Sequence, residues 1–228
     1  LPARPLRAAL EAVRYAISRE EFRGPLTGVR LEVGSSLRAV ASDGYRLALQ
    51  EFPLPAPLPA FQGVLPGAAV GDLLRLLAGE ETVQLSLEEQ LCYCQGERFR
   101  YATPLLSGEF PAYQRVIPTH CSTQVEVGPE LSAALERLEA ICDSRTYPVQ
   151  LFLQEQALHL RSENDYGLAE ETVPAVVRGE PLHLTLNARY LREALPAGGA
   201  TLRFSGPTTP LLIAGQEGYQ ALLMPLRT

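Results

Sequence analysis

The stretch Ala41-Ser42-Asp43-Gly44-Tyr45-Arg46-Leu47-Ala48 joins two alternating runs, Leu37 to Ser42 and Tyr45 to Phe52, through Asp43-Gly44. An Asp-Gly pair between such runs is a hairpin signal, because glycine accepts the left-handed backbone that a tight turn needs. Further along, Asn164-Asp165-Tyr166 resembles Ser42 to Tyr45, and Leu168-Ala169 matches Leu47-Ala48. Leu65-Pro66 opens one helical pattern as Leu186-Asn187 opens another, and Pro104-Leu105 matches Pro225-Leu226. Leu47 to Leu168, Leu65 to Leu186 and Pro104 to Pro225 are each displacements of 121 residues, about half of the chain. A constant displacement of that size marks a duplicated unit.

Outward from the hairpin, Pro2 to Arg19 has a helical period, with Leu6, Leu10, Val13 and Ile17 on one side and Arg4, Arg7, Arg14, Glu11 and Tyr15 on the other. Gly28 to Val33 reads as a further strand, and a proline-rich connector runs from Pro53 to Pro59. A helix follows from about Ala68 to Ala78, then strands near Thr82 to Leu87, Leu91 to Gln95 and Phe99 to Leu105. The order repeats with a helix from Glu130 to Cys142, strands at Val149 to Leu153, Ala157 to Arg161 and Tyr166 to Val173, a helix near Ala188 to Leu195, and strands to the end. This is an α+β pattern in two tandem copies, 1–119 and 120–228, divided after a loop that holds Gly108, Pro111 and Pro118.

Composition narrows the chemistry. With 228 residues, 46% of them hydrophobic and 20% charged, the chain has the make-up of a globular protein. No apolar run nears the ~20 residues of a membrane-spanning helix, so no membrane partner is expected. The chain opens at Leu1, and Met224 is its single methionine, which points to a trimmed product or a piece of a longer chain. All 20 basic residues are arginine. That excludes a Walker A lysine, a lysine Schiff base and a Ser-x-x-Lys acyl-transfer pair. Cys92, Cys94, Cys121 and Cys142 lack the paired spacing of a zinc site and read as buried free thiols of a reducing compartment. His120, His159 and His183 are scattered, no cofactor motif is present, and an enzyme is the weaker reading. Residues 1–118 carry 12 arginines against 13 acids, and residues 119–228 carry 8 against 13. That acidity argues against gripping nucleic acid by bulk charge, though not against arginines presented locally.

Four strings then become specific: Phe22 to Val29, Ala41 to Ala48, Gly108-Glu109-Phe110-Pro111-Ala112-Tyr113-Gln114-Arg115-Val116-Ile117-Pro118, and Met224-Pro225-Leu226-Arg227. Together and in this order they resemble the bacterial beta sliding clamp, the processivity subunit of the replicative DNA polymerase. The resemblance covers nearly the whole chain but only the second and third of that family's three domains. It implies a ring of clamp domains, each with antiparallel sheets outside and two helices lining the inner face, closed around double-stranded DNA without regard to sequence. It also implies a cytoplasmic, nucleoid-associated protein with no catalytic residue, no cofactor and no metal.

Carried over, the DNA-facing stripe is Arg4, Arg7, Arg14, Arg75, Arg137, Arg189 and Arg192, diluted by Glu130, Glu136 and Glu139 on the third helix. The implied peptide pocket at the junction of the two copies is Leu26, Ser42, Gly44, Tyr45, Arg46, Leu47, Pro111, Arg115, Val116, Leu222, Met224, Pro225, Leu226 and Arg227. It would take short linear motifs of the replicative polymerase, the clamp loader and repair polymerases. Aliphatic side chains and prolines supply a floor, Met224 adapts to different anchors, and Arg46, Arg115 and Arg227 suit a peptide carboxylate or carbonyl. Two departures stand out: Tyr45 takes a position where many members have histidine, and Gly24-Pro25 stands where some have aromatics. Three readings compete: a ring-forming homo-oligomeric clamp, a ring-deficient relative or fragment that acts only as a peptide-binding adaptor, and a hydrolase using Asp43 and Asp165. The hydrolase lacks a nucleophile or metal spacing, and both aspartates lie at turns, where Asp needs no further reason.

Overall fold

A computed structural model describes residues 1–142, 146–154, 156–215 and 218–227. The chain divides into two compact units, Leu1–Pro111 with Glu217–Tyr219, and Ala112–Gln216 with Gln220–Thr228. No helix among the described residues is long and apolar enough to cross a membrane.

In the first unit, α1 (Ala3–Val13) is followed by β1 (Gly28–Val33), β2 (Ser36–Ser42), β3 (Arg46–Pro53) and β4 (Phe61–Pro66). Then come α2 (Gly67–Leu76), β5 (Gln84–Glu88), β6 (Leu91–Gln95) and β7 (Arg100–Pro104). β4, β1, β2 and β3 form one antiparallel group, and β5, β6 and β7 form a separate sheet. Leu6, Leu10 and Val13 of α1 pack with Val70, Leu73 and Leu74 of α2 and with Leu31, Leu37 and Ala39 of the sheet in one apolar core. Burial of such side chains at ~1.5–3 kcal/mol each is what holds the helices to the strands.

The second unit repeats the plan with β8 (Thr123–Val127), α3 (Glu130–Glu139), β9 (Pro148–Gln154), β10 (Ala157–Asn164) and β11 (Gly167–Arg178). It continues with β12 (His183–Asn187), α4 (Ala188–Ala194), β13 (Ala200–Phe204), β14 (Leu211–Ala214) and β15 (Tyr219–Leu223). Here β8 pairs with both β11 and β13, so the strands run on as β12-β9-β10-β11-β8-β13-β14-β15. Helices α3 and α4 lie against each other, with Leu131, Leu135, Leu138 and Leu191 fully buried.

Several expectations change. The first helix stops at Val13 rather than Arg19, with one tight turn over Arg14–Ala16 and extended backbone at Ile17. Tyr15 is therefore half-buried instead of lying on the cationic face. β4, β8 and β12 were not read as strands. Gly63 of β4 leaves the space that Leu105 fills, since a Cβ there would stand 2.6 Å from the leucine's Cδ1. Cys92 and Cys94 are buried on β6, where burial pushes their thiols up to about 11 and about 12, but Cys121 and Cys142 are only half-buried. No group of three metal-ligating side chains occurs among the described residues.

Candidate peptide-docking and DNA-facing residues

The hairpin between β2 and β3 is built around Asp43. Its Oδ1 accepts the backbone N–H groups of Tyr45 and Arg46 at 2.9 and 3.0 Å, and its Oδ2 accepts Arg46 Nε at 3.0 Å. Ser42 Oγ donates to the Arg46 carbonyl at 2.8 Å and accepts from Gly44 N–H at 3.2 Å. Gly44 adopts φ +89°, a left-handed backbone that calls for glycine. The carboxylate of Asp43 is thus spent on the turn and on Arg46, which removes the hydrolase's first catalytic candidate. Asp165 is exposed on its own turn.

Arg46 is buried and bonded inward. Its side chain is 8% exposed, its Nη2 donates to the Tyr15 carbonyl at 2.6 Å, and its guanidinium lies 5.2 Å from the Tyr15 ring centre. It places a cation at the C-terminal end of the first helical segment, where unbonded carbonyls gather. Asp43, Tyr15 and the turn thus hold the Arg46 guanidinium in place.

Around this turn, Tyr45 is 57% exposed, Leu47 is 5% exposed, Leu26 is half-buried and Pro111 is exposed. Two neighbours that the sequence reading passed over join Tyr45: the Arg23 guanidinium lies 5.3 Å from the Tyr45 ring centre and 5.8 Å from that of Phe22. Arg23 Nη1 also donates to the Asp43 carbonyl at 3.0 Å. Adjacent aromatic and arginine residues, Phe22-Arg23, were the signal available for them.

In the second unit, Val116 closes a short turn over Tyr113–Val116, and Arg115 beside it is exposed. Leu222 is buried within β15 beside Leu212 of β14. Met224 is 45% exposed, Pro225 and Leu226 are half-buried, and Arg227 is exposed. Leu226 N–H donates to the Thr185 carbonyl at 2.8 Å, tying the tail to β12. The candidates in this unit thus divide into an embedded aliphatic, Leu222, and exposed side chains, Met224, Val116, Arg115 and Arg227.

The helix arginines divide too. On α1, Arg4 is exposed and makes no polar contact among the described residues, Arg7 donates through Nε to the Leu74 carbonyl of α2 at 3.2 Å, and Arg14 pairs with Glu11 at 3.3 Å. Arg75 of α2 pairs with Asp72. In the second unit, Arg137 meets Glu171 of β11 through two bonds of 2.6 and 2.8 Å, and Arg192 meets Glu139 of α3 through bonds of 2.6 and 3.1 Å. Arg189 pairs with Glu193 at 3.3 Å. These carboxylates raise the pKa of all three arginines, and Arg137 in turn holds Glu171 below its usual carboxylate range.

Family models match almost every residue: the DNA polymerase III beta subunit, central domain, over residues 1–112, and the same subunit's C-terminal domain over residues 114–227. The chain belongs to the DNA polymerase III beta subunit family. A beta sliding clamp of Caulobacter vibrioides is 32% identical over 96% of the chain and 62% of its own length, and one of Synechococcus elongatus is 31% identical over 100% and 64%. The crystal structure of the beta subunit from Thermotoga maritima superposes with a TM-score of 0.93 at 26% identity, over all of this chain and 65% of that one. The chain therefore spans less than two thirds of the length of these beta subunit relatives.

Proposed function

We propose that this chain works as part of a DNA sliding clamp, with 1–119 and 120–228 as two of the clamp domains in a ring-forming homo-oligomer around duplex DNA. The observation that carries this reading is the tandem match, central domain then C-terminal domain, across residues 1–112 and 114–227. Such a protein acts in the cytoplasm, associated with the nucleoid, and holds a polymerase on its template by topology. A partner tethered to a ring that cannot leave the template rebinds intramolecularly, and the gain in avidity is ~10²–10⁴ without any bond chemistry. Arg4, Arg7, Arg14 and Arg75 would supply exchangeable phosphate contacts, which read no base edge. Arg137, Arg189 and Arg192 would act only after giving up their glutamates.

Motifs of the replicative polymerase, clamp loader and repair polymerases would dock on Leu26, Tyr45, Leu47, Pro111, Val116, Leu222, Met224, Pro225 and Leu226. Ser42 and Gly44 shape the rim, and the exposed Arg115 and Arg227 offer cations. The exposure of Tyr45, Val116 and Met224 supports this assignment. A second reading, an adaptor that binds such peptides without closing a ring, draws on the glutamates that occupy the arginines of α3 and α4.

Solution mass combined with retention on nicked circular against linear DNA tests both. A multiple of 24.9 kDa retained on circles and shed on linearisation is expected of the clamp. A monomer indifferent to DNA topology that still binds a hydrophobic pentapeptide, and loses ~2 kcal/mol of that binding in Met224→Ala, leaves the adaptor. Absence of both activities removes both readings.

A further inference from the structure

Residues 119–228 carry 8 arginines against 13 acids, and the described arginines on the α-helices and strands of the second unit are met accordingly. Arg137, Arg161, Arg178, Arg189 and Arg192 each pair with a glutamate. Arg203 of β13 is the exception. Its guanidinium makes no hydrogen bond or ion pair among the described residues, and its Nε is buried without an acceptor. Arg161 also has a buried Nε without an acceptor, but Glu163 takes its Nη2 at 2.8 Å. A buried donor with no acceptor is unfavourable, and a guanidinium with no counter-charge is where an outside anion gains most.

Strand register builds a site around it. Gln124 of β8 stands directly opposite Arg203 of β13 on one side and Arg178 of β11 on the other. Directly opposite residues of antiparallel strands share a face, so the two arginines flank the exposed Gln124 carboxamide. Two strand spacings set the arginine backbones about 10 Å apart, which lets both guanidinium groups reach one oxyanion. In the next row Glu126 stands opposite Val176 and Thr201, and its Oε1 accepts Arg178 Nη1 at 2.5 Å. Val125 and Leu202 alternate to the other face and are fully buried. That other face is the one on which α3 packs, where Glu171 of β11 meets Arg137. The row Arg178, Gln124, Arg203 therefore points away from the helices and from any DNA that follows them.

We propose that Arg203, Gln124 and Arg178 form an oxyanion site for a carboxylate on an acidic peptide segment of a protein partner, with Val176, 49% exposed, as the apolar contact beside it. Two guanidinium groups offer paired N–H donors to a carboxylate, and the carboxamide adds one more. Glu126 decides between a carboxylate and a phosphoryl group. It keeps its negative charge beside the site, and a dianion feels that charge twice as strongly as a monoanion. The Arg178–Glu126 pair is exposed on both sides, so an incoming carboxylate exchanges with Glu126 at little cost.

The test follows the Nε–Hε NMR signal of Arg203 in the 228-residue chain during titration with acetyl-Ala-Glu-Val-Ala-amide at constant ionic strength. A saturable shift is expected, with affinity at least tenfold above that of an acetyl-Ala-Gln-Val-Ala-amide control. Arg203→Met keeps an aliphatic stem and is expected to weaken the peptide's effect on the Arg178 signal tenfold or more. Glu126→Gln, at an exposed position, is expected to tighten binding threefold or more by removing the competing carboxylate. Absence of a saturable shift, equal affinity for the two peptides, or unchanged affinity in Glu126→Gln overturns the proposal. So does tighter binding of inorganic phosphate than of the peptide, which makes the occupant a phosphoryl group instead.

Discussion

The hairpins at Ser42 to Leu47 and at Asn164 to Leu168 descend from one plan and solve it with different chemistry. At the constant displacement of 121 residues, Asp43 corresponds to Asn164 and Arg46 to Gly167. Both side chains brace their turn in the same way: Asn164 Oδ1 accepts the N–H groups of Tyr166 and Gly167 at 2.9 Å each, as Asp43 Oδ1 accepts those of Tyr45 and Arg46. The carboxylate brings a charge into a buried place and comes with a cation that neutralises it. The carboxamide is neutral, its Nδ2 donates to the Ile141 carbonyl, and its partner position is a glycine. The turn around Asp43 is therefore packed down, with Leu47 buried, while Leu168 in the other copy is 49% exposed. A buried charge obliges a second residue, and the pair then organises what surrounds it.

The strongest way to break this comparison is Arg46→Met, which strands the Asp43 carboxylate and removes the bond to the Tyr15 carbonyl. Chemical denaturation should show a loss of ~3–5 kcal/mol in the first unit. Adding Asp43→Asn, which imitates the second copy, should restore at least ~1.5 kcal/mol as a coupling energy in the double-mutant cycle. Additive losses would mean that the two side chains do not act as a pair. Next in size, Leu47→Ala should cost ~2–3 kcal/mol and Leu168→Ala under ~1 kcal/mol, because only the first opens a cavity. This also makes Met224→Ala the cleaner probe of peptide docking, since Leu47→Ala disturbs the fold as well. The smallest expected effect is that of Asn164→Ala, ~1–2 kcal/mol through turn N–H groups left without an acceptor. A neutral result in thermal unfolding would show that water replaces the carboxamide.

Much of the architecture was legible. The two-residue alternation and Asp43-Gly44 located β2 and β3, and the spacing of Leu6, Leu10 and Val13 found the buried face of α1. β8 was legible and overlooked: Thr123-Gln124-Val125-Glu126-Val127 alternates, and its odd positions are buried. β4 and β12 were harder to see. Gly63 and Pro66 weaken the strand pattern of β4, and the five residues of β12 run straight into α4. The end of α1 was not legible at all. Arg46, a residue 31 positions away, takes the Tyr15 carbonyl, and Ser18 N–H turns to the Leu26 carbonyl.

The candidate site divides in the same manner. Tyr45, Val116 and Met224 could be chosen from local strings, and all three have substantial exposed surface. Arg46 could not be separated from Arg115 and Arg227 by its neighbours in sequence, because all three stand beside aliphatic residues near turns. Only packing distinguishes a guanidinium bonded inward from two that face solvent.

The amino-acid order by itself determined the duplication, the faces of the helices and the places where the chain must turn, because these follow from period and local backbone preference within a few residues. Tertiary structure alone decided which arginines are available. Arg137 is held by Glu171, 34 residues on, and Arg192 by Glu139, 53 residues back. Helical period says which way a side chain points, but the group that meets it there is brought by another part of the fold.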